Sequence, residues 1–172
     1  MSAHDLVVEA DCGQFHLLRQ GAEHAGDEVT SEGYERHLWT NGSFVYVGTL
    51  RSFGATALRV EVLDAPPGDE VDASWQHVAE VSLGPGGAIE VHGWGSAEPV
   101  ATVPAEPGSL RLRVHWRNLV AGRAEGLDED GESDEQLLVL VWSSPAGGPE
   151  VLRWWPEWLL PAPTVTSPDG RR

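Results

Sequence analysis

Short apolar runs alternate with turn-forming residues along most of the chain. Runs rich in Val, Leu and aromatic residues are interrupted about every eight to twelve residues by Gly, Pro or Asn, and no amphipathic helical pattern stands out. The predicted strands span residues 6–10, 14–18, 56–63, 75–83, 88–92, 109–117, 136–142 and 150–154. This spacing predicts an all-β fold, an antiparallel β-sandwich of about eight to ten strands with little helix.

A hairpin is predicted around Asn41-Gly42. These two residues separate the apolar-rich runs 36–40 and 43–47. Asn and Gly tolerate the positive φ angles of a type I′ turn, so the pattern predicts a two-residue turn between paired strands.

Strand burial is predicted from alternation. In 56–63, the apolar residues Leu58, Val60 and Val62 alternate with polar ones, which indicates a strand with one face in water. Residues 137–142 are apolar throughout, which predicts a central strand covered on both faces.

One domain accounts for the length. The chain has 172 residues, enough for a single core. From Pro156 onward four prolines interrupt any regular element. We therefore assign residues 1–155 to a single β-sandwich domain and residues 156–172 to a Pro-rich C-terminal tail.

Charge restricts the possible partners. The chain carries 27 Asp and Glu against 11 basic residues, all Arg, and its formal net charge is −16. Direct binding to nucleic acid or to an anionic membrane is therefore not expected, whereas a basic protein would be attracted. The absence of Lys and the abundance of Ala, Gly, Val and Pro also fit a coding bias or salt adaptation, so composition alone can explain part of the acidity.

Compartment and membrane association follow from two further features. Cys12 is the only cysteine, which excludes an internal disulfide and suits a reducing compartment. A secretory signal starts with basic residues, whereas acidic residues lie near the start of this sequence. The longest apolar run, 137–142, is far shorter than a membrane span. We expect a cytoplasmic protein without a membrane segment.

Signatures of catalysis are missing from the sequence. It has no nucleophile elbow, phosphate-binding loop or zinc-protease motif, and its seven histidines follow no recognised ligand spacing. His77 alternates with apolar residues, which favours a hydrogen-bonded core histidine. No catalytic residue, metal or cofactor is predicted, although an enzyme with dispersed active-site residues remains an alternative.

An acidic segment at 125–135 is the first candidate site. Its acidic residues are Glu125, Asp128, Glu129, Asp130, Glu132, Asp134 and Glu135. An EF-hand reading starting at Asp128 fails, because Ser133 and Val139 stand where Gly and Glu are required. The segment is interpreted as a partner-binding loop, or else as a solvated connection between strands.

A basic stripe in 109–117 is the second candidate. Alternation places four residues on one face, and with Trp94 they form a candidate anion or ligand site: Arg111, Arg113, His115 and Arg117. The alternative, which we favour, is cross-strand pairing with Glu61, Glu80 or Glu90.

The eight tryptophans leave a carbohydrate-binding module open. Trp94, Trp154, Trp155 and Trp158 could form stacking platforms, while most Trp residues in a β fold serve packing.

Several short segments carry a resemblance to a known family. They are Leu6-Val7-Val8, 14–18, Gly33-Tyr34, 42–47, 80–83 and 107–112, and the sequence resembles over roughly residues 5–142 the competence protein J family. The resemblance implies a small bacterial β protein that inhibits a DNA-entry nuclease. The chain departs from the family in length, in the 64–72 turn, in the acidic segment and in the Trp-rich end, and no functional residue is transferred.

Two hypotheses of function result. The first is a non-enzymatic acidic binding protein, an inhibitor or immunity-type partner of a basic protein such as a nuclease. The second is a carbohydrate- or small-molecule-binding β module that uses exposed Trp residues and the Arg stripe.

Overall fold

The computed structural model describes residues 1–22, 29–120 and 132–159, and nearly all of its regular structure is β. The elements are β1 (Ser2–Asp11), β2 (Gln14–Arg19), α1 (Ser31–Arg36), β3 (Leu38–Thr40), β4 (Phe44–Gly48), β5 (Phe53–Val62), β6 (His77–Leu83), β7 (Ile89–Gly93), β8 (Ala101–Val103), β9 (Leu110–Arg117), β10 (Glu132–Ser143), β11 (Glu150–Arg153) and a 3-10 turn (Pro156–Leu159). Every strand predicted from the sequence is present. The short helix α1 and the three-residue strand β8 were not predicted, because neither is long enough to show a period.

The strands form one continuous curled sheet, a half-barrel, instead of the clear sandwich expected. Its order is β11-β6-β9-β10-β5-β1-β2-β4-β3. β2 pairs with β4 along one edge and with β7 along its other edge, and β8 pairs with β7. Continuity depends on the tight turn between β1 and β2, where Asp11 pairs with Gln14. Cys12 and Gly13 adopt positive φ angles of 54° and 72°, which carry the chain around this corner.

The sheet is mixed, whereas the sequence pattern predicted an antiparallel one. β5 and β10 run parallel, with Leu58 opposite Leu137 and Val60 opposite Val139. A parallel pair needs a long crossover, and here the chain from residue 63 to residue 131 lies between the two strands. Alternation within a strand carries no information on the direction of its neighbour.

The core lies on the concave side of the sheet. Leu110, Leu112, Val114 and Trp116 of β9 all point inward and are no more than 1 % exposed. They pack with apolar residues from both ends of the sheet, including Phe15 of β2. The alternation predicted for β9 is confirmed.

The predicted hairpin exists, but its turn is longer than two residues. Thr40 pairs with Val45, and residues 41–43 connect β3 to β4. Gly42 has a φ of 93°, whereas Asn41 does not adopt a positive φ. Instead, Oδ1 of Asn41 accepts hydrogen bonds from the N–H groups of Ser43 and Phe44, at 2.9 and 3.1 Å. The Asn side chain therefore stabilises a wider turn.

β10 is central in the sheet but is not covered equally on its two faces. Leu137, Val139 and Val141 are fully buried, while Leu138 and Leu140 on the outer face are half-buried. The prediction of a strand buried on both sides is therefore correct only for the concave side.

His77 holds α1 against the core, as expected for a hydrogen-bonded core histidine. Its ring is 1 % exposed, Nε2 lies 2.9 Å from the carbonyl oxygen of Arg36, and Nδ1 accepts a hydrogen bond from the N–H of Trp155 at 3.4 Å. Trp158 of the 3-10 turn stacks on His37 with a centroid distance of 3.6 Å. Residues 156–159 thus pack on the domain, and residues 160–172 of the predicted tail lie outside the described residues.

No helix in the described ranges is long and apolar enough to cross a membrane.

Acid should destabilise the fold through His77. Burial lowers the pKa of its ring from 6.5 to about 4. Between these values the unfolded chain binds a proton that the folded His77 does not, so the contribution of His77 to the free energy of unfolding should fall as the pH falls from 6.5 to 4. In urea unfolding at stepwise pH, His77→Gln should be less stable than wild type at pH 7 and should lose less stability than wild type between pH 6.5 and 4. Identical slopes would contradict the assignment.

Candidate functional site

The predicted Arg stripe on β9 is buried by a network around one carboxylate. Glu80 on β6 lies directly opposite Arg113 on β9. Nε of Arg113 donates to Oε1 of Glu80 at 2.5 Å, and Nε of Arg111 donates to Oε2 at 2.9 Å. All three residues are at most 7 % exposed. Of the three acids considered as cross-strand partners, Glu80 is the one that these arginines contact.

Backbone carbonyl groups complete the network. Nη1 of Arg111 donates to the carbonyl oxygens of Gly147 and Gly148, and Nη1 of Arg113 donates to that of Gly68. The loops before β6 and β11 therefore cover the outer side of β9. Because the arginines are buried and bonded within the protein, the stripe has the contacts of a structural element and not those of an open anion site.

Of the remaining residues of the predicted anion site, His115 is close enough to the network for the charges of Arg113 and Glu80 to act on its pKa, whereas Arg117 and Trp94 make other contacts. His115 packs against Trp75 at 5.2 Å, and burial lowers its pKa to about 4, so its ring is neutral at pH 7. Arg117 lies 4.8 Å from the centre of the Trp75 ring and donates two hydrogen bonds to Gln136. Trp94 follows β7 in the other half of the sheet, where its ring meets the edge of His16.

Other arginines also bond to the backbone inside the protein. Arg19 is 2 % exposed, and its Nη2 donates to the carbonyl oxygens of Gly86, Glu106 and Gly108. Burial lowers the pKa of Arg19. Half-buried Arg153 donates to three carbonyl oxygens of residues 71–75. Arginine thus ties loops to strands in this fold.

The outcome is a strong separation of charge between interior and surface. Among the arginines that the structure describes, only Arg59 is exposed, and it pairs with Asp5 and Glu61. The exposed carboxylates within the same ranges are Asp5, Glu9, Glu32, Glu35, Asp64, Asp69, Glu70, Asp72, Glu98, Glu106, Asp134, Glu150 and Glu157. The solvent-facing surface is therefore more uniformly acidic than the net charge of the sequence indicates.

The predicted acidic loop lies mostly outside the described residues. Glu125, Asp128, Glu129 and Asp130 are among those not described, and Glu132 is described only as the first residue of β10. Asp134 is exposed, and its carbonyl oxygen accepts a hydrogen bond from Nδ2 of Asn118.

Glu135 does not belong to the acidic surface with which the sequence analysis grouped it. Its side chain is 0 % exposed, and both carboxyl oxygens accept from the N–H of Leu50, at 3.1 and 3.0 Å. Burial raises the pKa of Glu135 to about 8, although the Leu50 N–H and the nearby Arg51 oppose this shift. Glu135 lies two residues before the buried Leu137, so it continues the inward row of β10 that also contains Val139. The strand predicted from the sequence began at residue 136, so this row was not extended to Glu135.

Neither a metal centre nor a row of Trp platforms is evident in the described parts of the chain. There, no three His, Cys, Asp or Glu residues are grouped so that they could hold a metal ion. Trp116, Trp142 and Trp155 are buried, while Trp94 and Trp154 are 42 and 39 % exposed. Trp154 contacts His77 and Trp94 contacts His16, so these two rings lie in different parts of the fold.

Comparison with known proteins shows similarity of fold at low sequence identity. No protein-family model matches the sequence, and no curated protein is significantly similar to it. ComJ from Bacillus subtilis, inhibitor of the DNA-degrading activity of NucA, superposes with a TM-score of 0.54 and 13 % identity, over 84 % of this chain and 96 % of ComJ. Crocagin biosynthetic protein J superposes with a TM-score of 0.54 and 16 % identity, over 84 % of this chain and 100 % of that protein. The weak resemblance to the competence protein J family is confirmed as a shared fold.

Removing the carboxylate of the network should destabilise the protein strongly. Glu80→Gln would remove the carboxylate that both buried arginines contact and leave Arg111 with only Glu150, at 3.9 Å, so we expect a loss of about 3–5 kcal/mol in the free energy of unfolding. Glu61→Gln, which removes a partner of the exposed Arg59, should cost less than about 1 kcal/mol. If chemical denaturation shows equal losses in the free energy of unfolding for Glu80→Gln and Glu61→Gln, the buried network stabilises the protein no more than the exposed ion pair does.

Glu135 should make the protein less stable as the pH rises. Its pKa is 4.5 in an unfolded chain and about 8 in the fold, so between these values the folded protein binds the additional proton. The contribution of Glu135 to the free energy of unfolding should therefore fall as the pH rises from 4.5 to 8, by about 1.4 kcal/mol for each pKa unit of difference. Glu135→Gln should be more stable than wild type at pH 9, whereas the exposed neighbour control Asp134→Asn should keep the wild-type slope. Loss of stability in Glu135→Gln at pH 9 would contradict this account.

Proposed function

We propose that this protein is a non-enzymatic, cytoplasmic inhibitor of a basic protein, with a nuclease as the expected class of partner. The observation that carries the proposal is the fold shared with ComJ, which inhibits the DNA-degrading activity of NucA. The similarity of fold covers 84 % of this chain and 96 % of ComJ.

The distribution of charge supports the same class of partner. Nucleases bind a polyanion and tend to carry basic clefts, to which a surface rich in carboxylates is complementary. Four of the described arginines, Arg19, Arg51, Arg111 and Arg113, are buried, so few basic groups stand among the exposed acids at the surface. Attraction over such a wide area speeds association and disfavours acidic partners.

The small-molecule alternative has less support from the described contacts. Arg111 and Arg113 are bonded to Glu80 and to backbone carbonyl groups, and Trp94 lies far from them along the sheet. Neither the predicted anion site nor a pair of adjacent exposed Trp rings is assembled from these residues.

Inhibition of DNA degradation tests the proposal directly. The purified full chain should inhibit NucA, or a basic nuclease from the source organism, at close to stoichiometric concentration. It should not cleave DNA itself or bind it in a gel-shift assay. If none of these nucleases is inhibited, the proposal of a nuclease inhibitor is wrong.

The acidic segment should contribute to the rate of association. Neutralising Asp128, Glu129, Asp130, Glu132 and Asp134 to Asn or Gln should slow association with the inhibited nuclease and flatten its dependence on salt. Thermal stability should stay level or rise, because self-repulsion falls. Association rates measured over a range of ionic strength will test this.

A charge-matched control separates local from general attraction. It neutralises the same number of exposed acids elsewhere, at Asp64, Asp69, Glu70, Glu98 and Glu106. If the segment faces the partner, the control should slow association less. Equal effects would mean that net charge alone sets the rate, and no effect of either variant would assign the acidity to composition.

A further inference from the structure

Three neighbouring strands present a largely uncovered outer face. On β1 and β5, Asp5 lies opposite Arg59, Val7 opposite Ala57, and Glu9 opposite Ala55. β10 continues the same rows, with Gln136 opposite Ala57 and Leu138 opposite Arg59. We call this surface, formed by the outward residues of β1, β5 and β10, the outer β1–β5–β10 face.

Large apolar side chains are exposed on this face. Val7 is 61 % exposed and Phe53 is 41 % exposed, and Leu138 and Leu140 are half-buried. Isolated apolar residues on a surface are ordinary, but a group of them on one sheet face is typical of a binding site.

A cavity of about 350 Å³ opens within the face. Leu6, Ala57 and Leu138 contribute its apolar lining, Trp75 and Arg117 line it as well, and so does Asp5. The outward residue of β5 here is Ala57, whose short side chain leaves space between its larger neighbours. The cavity thus combines an apolar lining with charged groups, as sites for a protein side chain often do.

Negative charge surrounds the cavity. Asp5, Glu9, Glu61 and Asp134 on the outer face outnumber the two arginines that line the cavity, Arg59 and Arg117. Arg59 is paired with Asp5 and Glu61, and Arg117 donates to Gln136. A positively charged partner is therefore complementary to the surface around the cavity.

We propose that the outer β1–β5–β10 face is the docking surface for a basic protein, which inserts an apolar side chain into the cavity while its Lys and Arg residues contact Asp5, Glu9 and Asp134. The proposal deepens the proposed function and rests on it for the biological partner. An apolar anchor in a pocket surrounded by polar contacts is the usual energetic centre of a protein interface.

A synthetic peptide can locate the surface without the natural partner. The probe is a pentapeptide of four lysines with a central tryptophan, titrated into the ¹⁵N-labelled full chain. NMR shift changes should concentrate on β1, β5 and β10, and a peptide with central alanine should bind at least tenfold more weakly. Shift changes confined to other faces, or equal binding of both peptides, would overturn the proposal.

Two matched variants make the test specific. Val7→Arg places a positive charge on the face, whereas Val100→Arg makes the same change at a 47 % exposed valine beside β7. Both variants change the net charge equally. We expect the affinity of Val7→Arg for the tryptophan peptide to be at least tenfold lower than that of Val100→Arg. Equal weakening would overturn the docking face. Melting temperatures of both variants check that each is folded.

The nuclease assay distinguishes this proposal from the proposed function. If wild type inhibits the nuclease and Val7→Arg inhibits as well as Val100→Arg, the inhibitor function stands and the docking face is wrong. If no nuclease is inhibited but the tryptophan peptide binds the face with the expected specificity, the docking face stands and the nuclease partner is wrong.

Discussion

The bonding of Glu80 to Arg111 and Arg113 sets the distribution of charge in this part of the protein. One carboxylate joins two arginines across the β6–β9 pair, and these arginines then hold the carbonyl groups of two covering loops. A buried ion pair contributes little net stability compared with an apolar pair, but it is costly to break, because a single charge then remains in a medium of low polarity. The network therefore fixes the pairing of the strands and the position of the loops together.

Burying arginines has a consequence for the surface. In a chain with few basic residues, each arginine that is bonded inside leaves fewer basic groups at the surface. Arg19 shows the same use of the side chain at the other half of the sheet, where it bonds to three carbonyl oxygens. Internal structure and external acidity thus have one cause, which gives the surface the long-range attraction expected of a partner for basic proteins.

The curled sheet adds a second feature to that attraction. Its concave side encloses the core, so the convex side of β1, β5 and β10 is left with exposed Val7 and a cavity beside Ala57. With charge attraction alone, many basic proteins would associate with this surface at similar rates. An apolar cavity of defined shape selects among them, because only a partner with a suitable side chain fills it. The fold thus combines exposed carboxylates and a cavity on one side of the sheet.

The local pattern of the sequence determined the strands, and tertiary structure decided their partners. Alternation at Leu110, Leu112 and Val114 predicted the inward face of β9, since side chains on successive residues of a strand point to opposite sides. The same rule placed Arg111 and Arg113 together and offered three acids as partners. The choice of Glu80 followed only from the alignment of β6 with β9.

Long-range pairing also explains the features that the sequence did not reveal. The parallel contact of β5 with β10 and the hydrogen bonds from Leu50 to Glu135 join segments far apart in the chain. Glu135 continues the inward row of β10, but an acidic run in the sequence does not show where such a row begins. The backbone N–H group that Glu135 bonds comes from the segment between β4 and β5, which sequence periodicity does not specify.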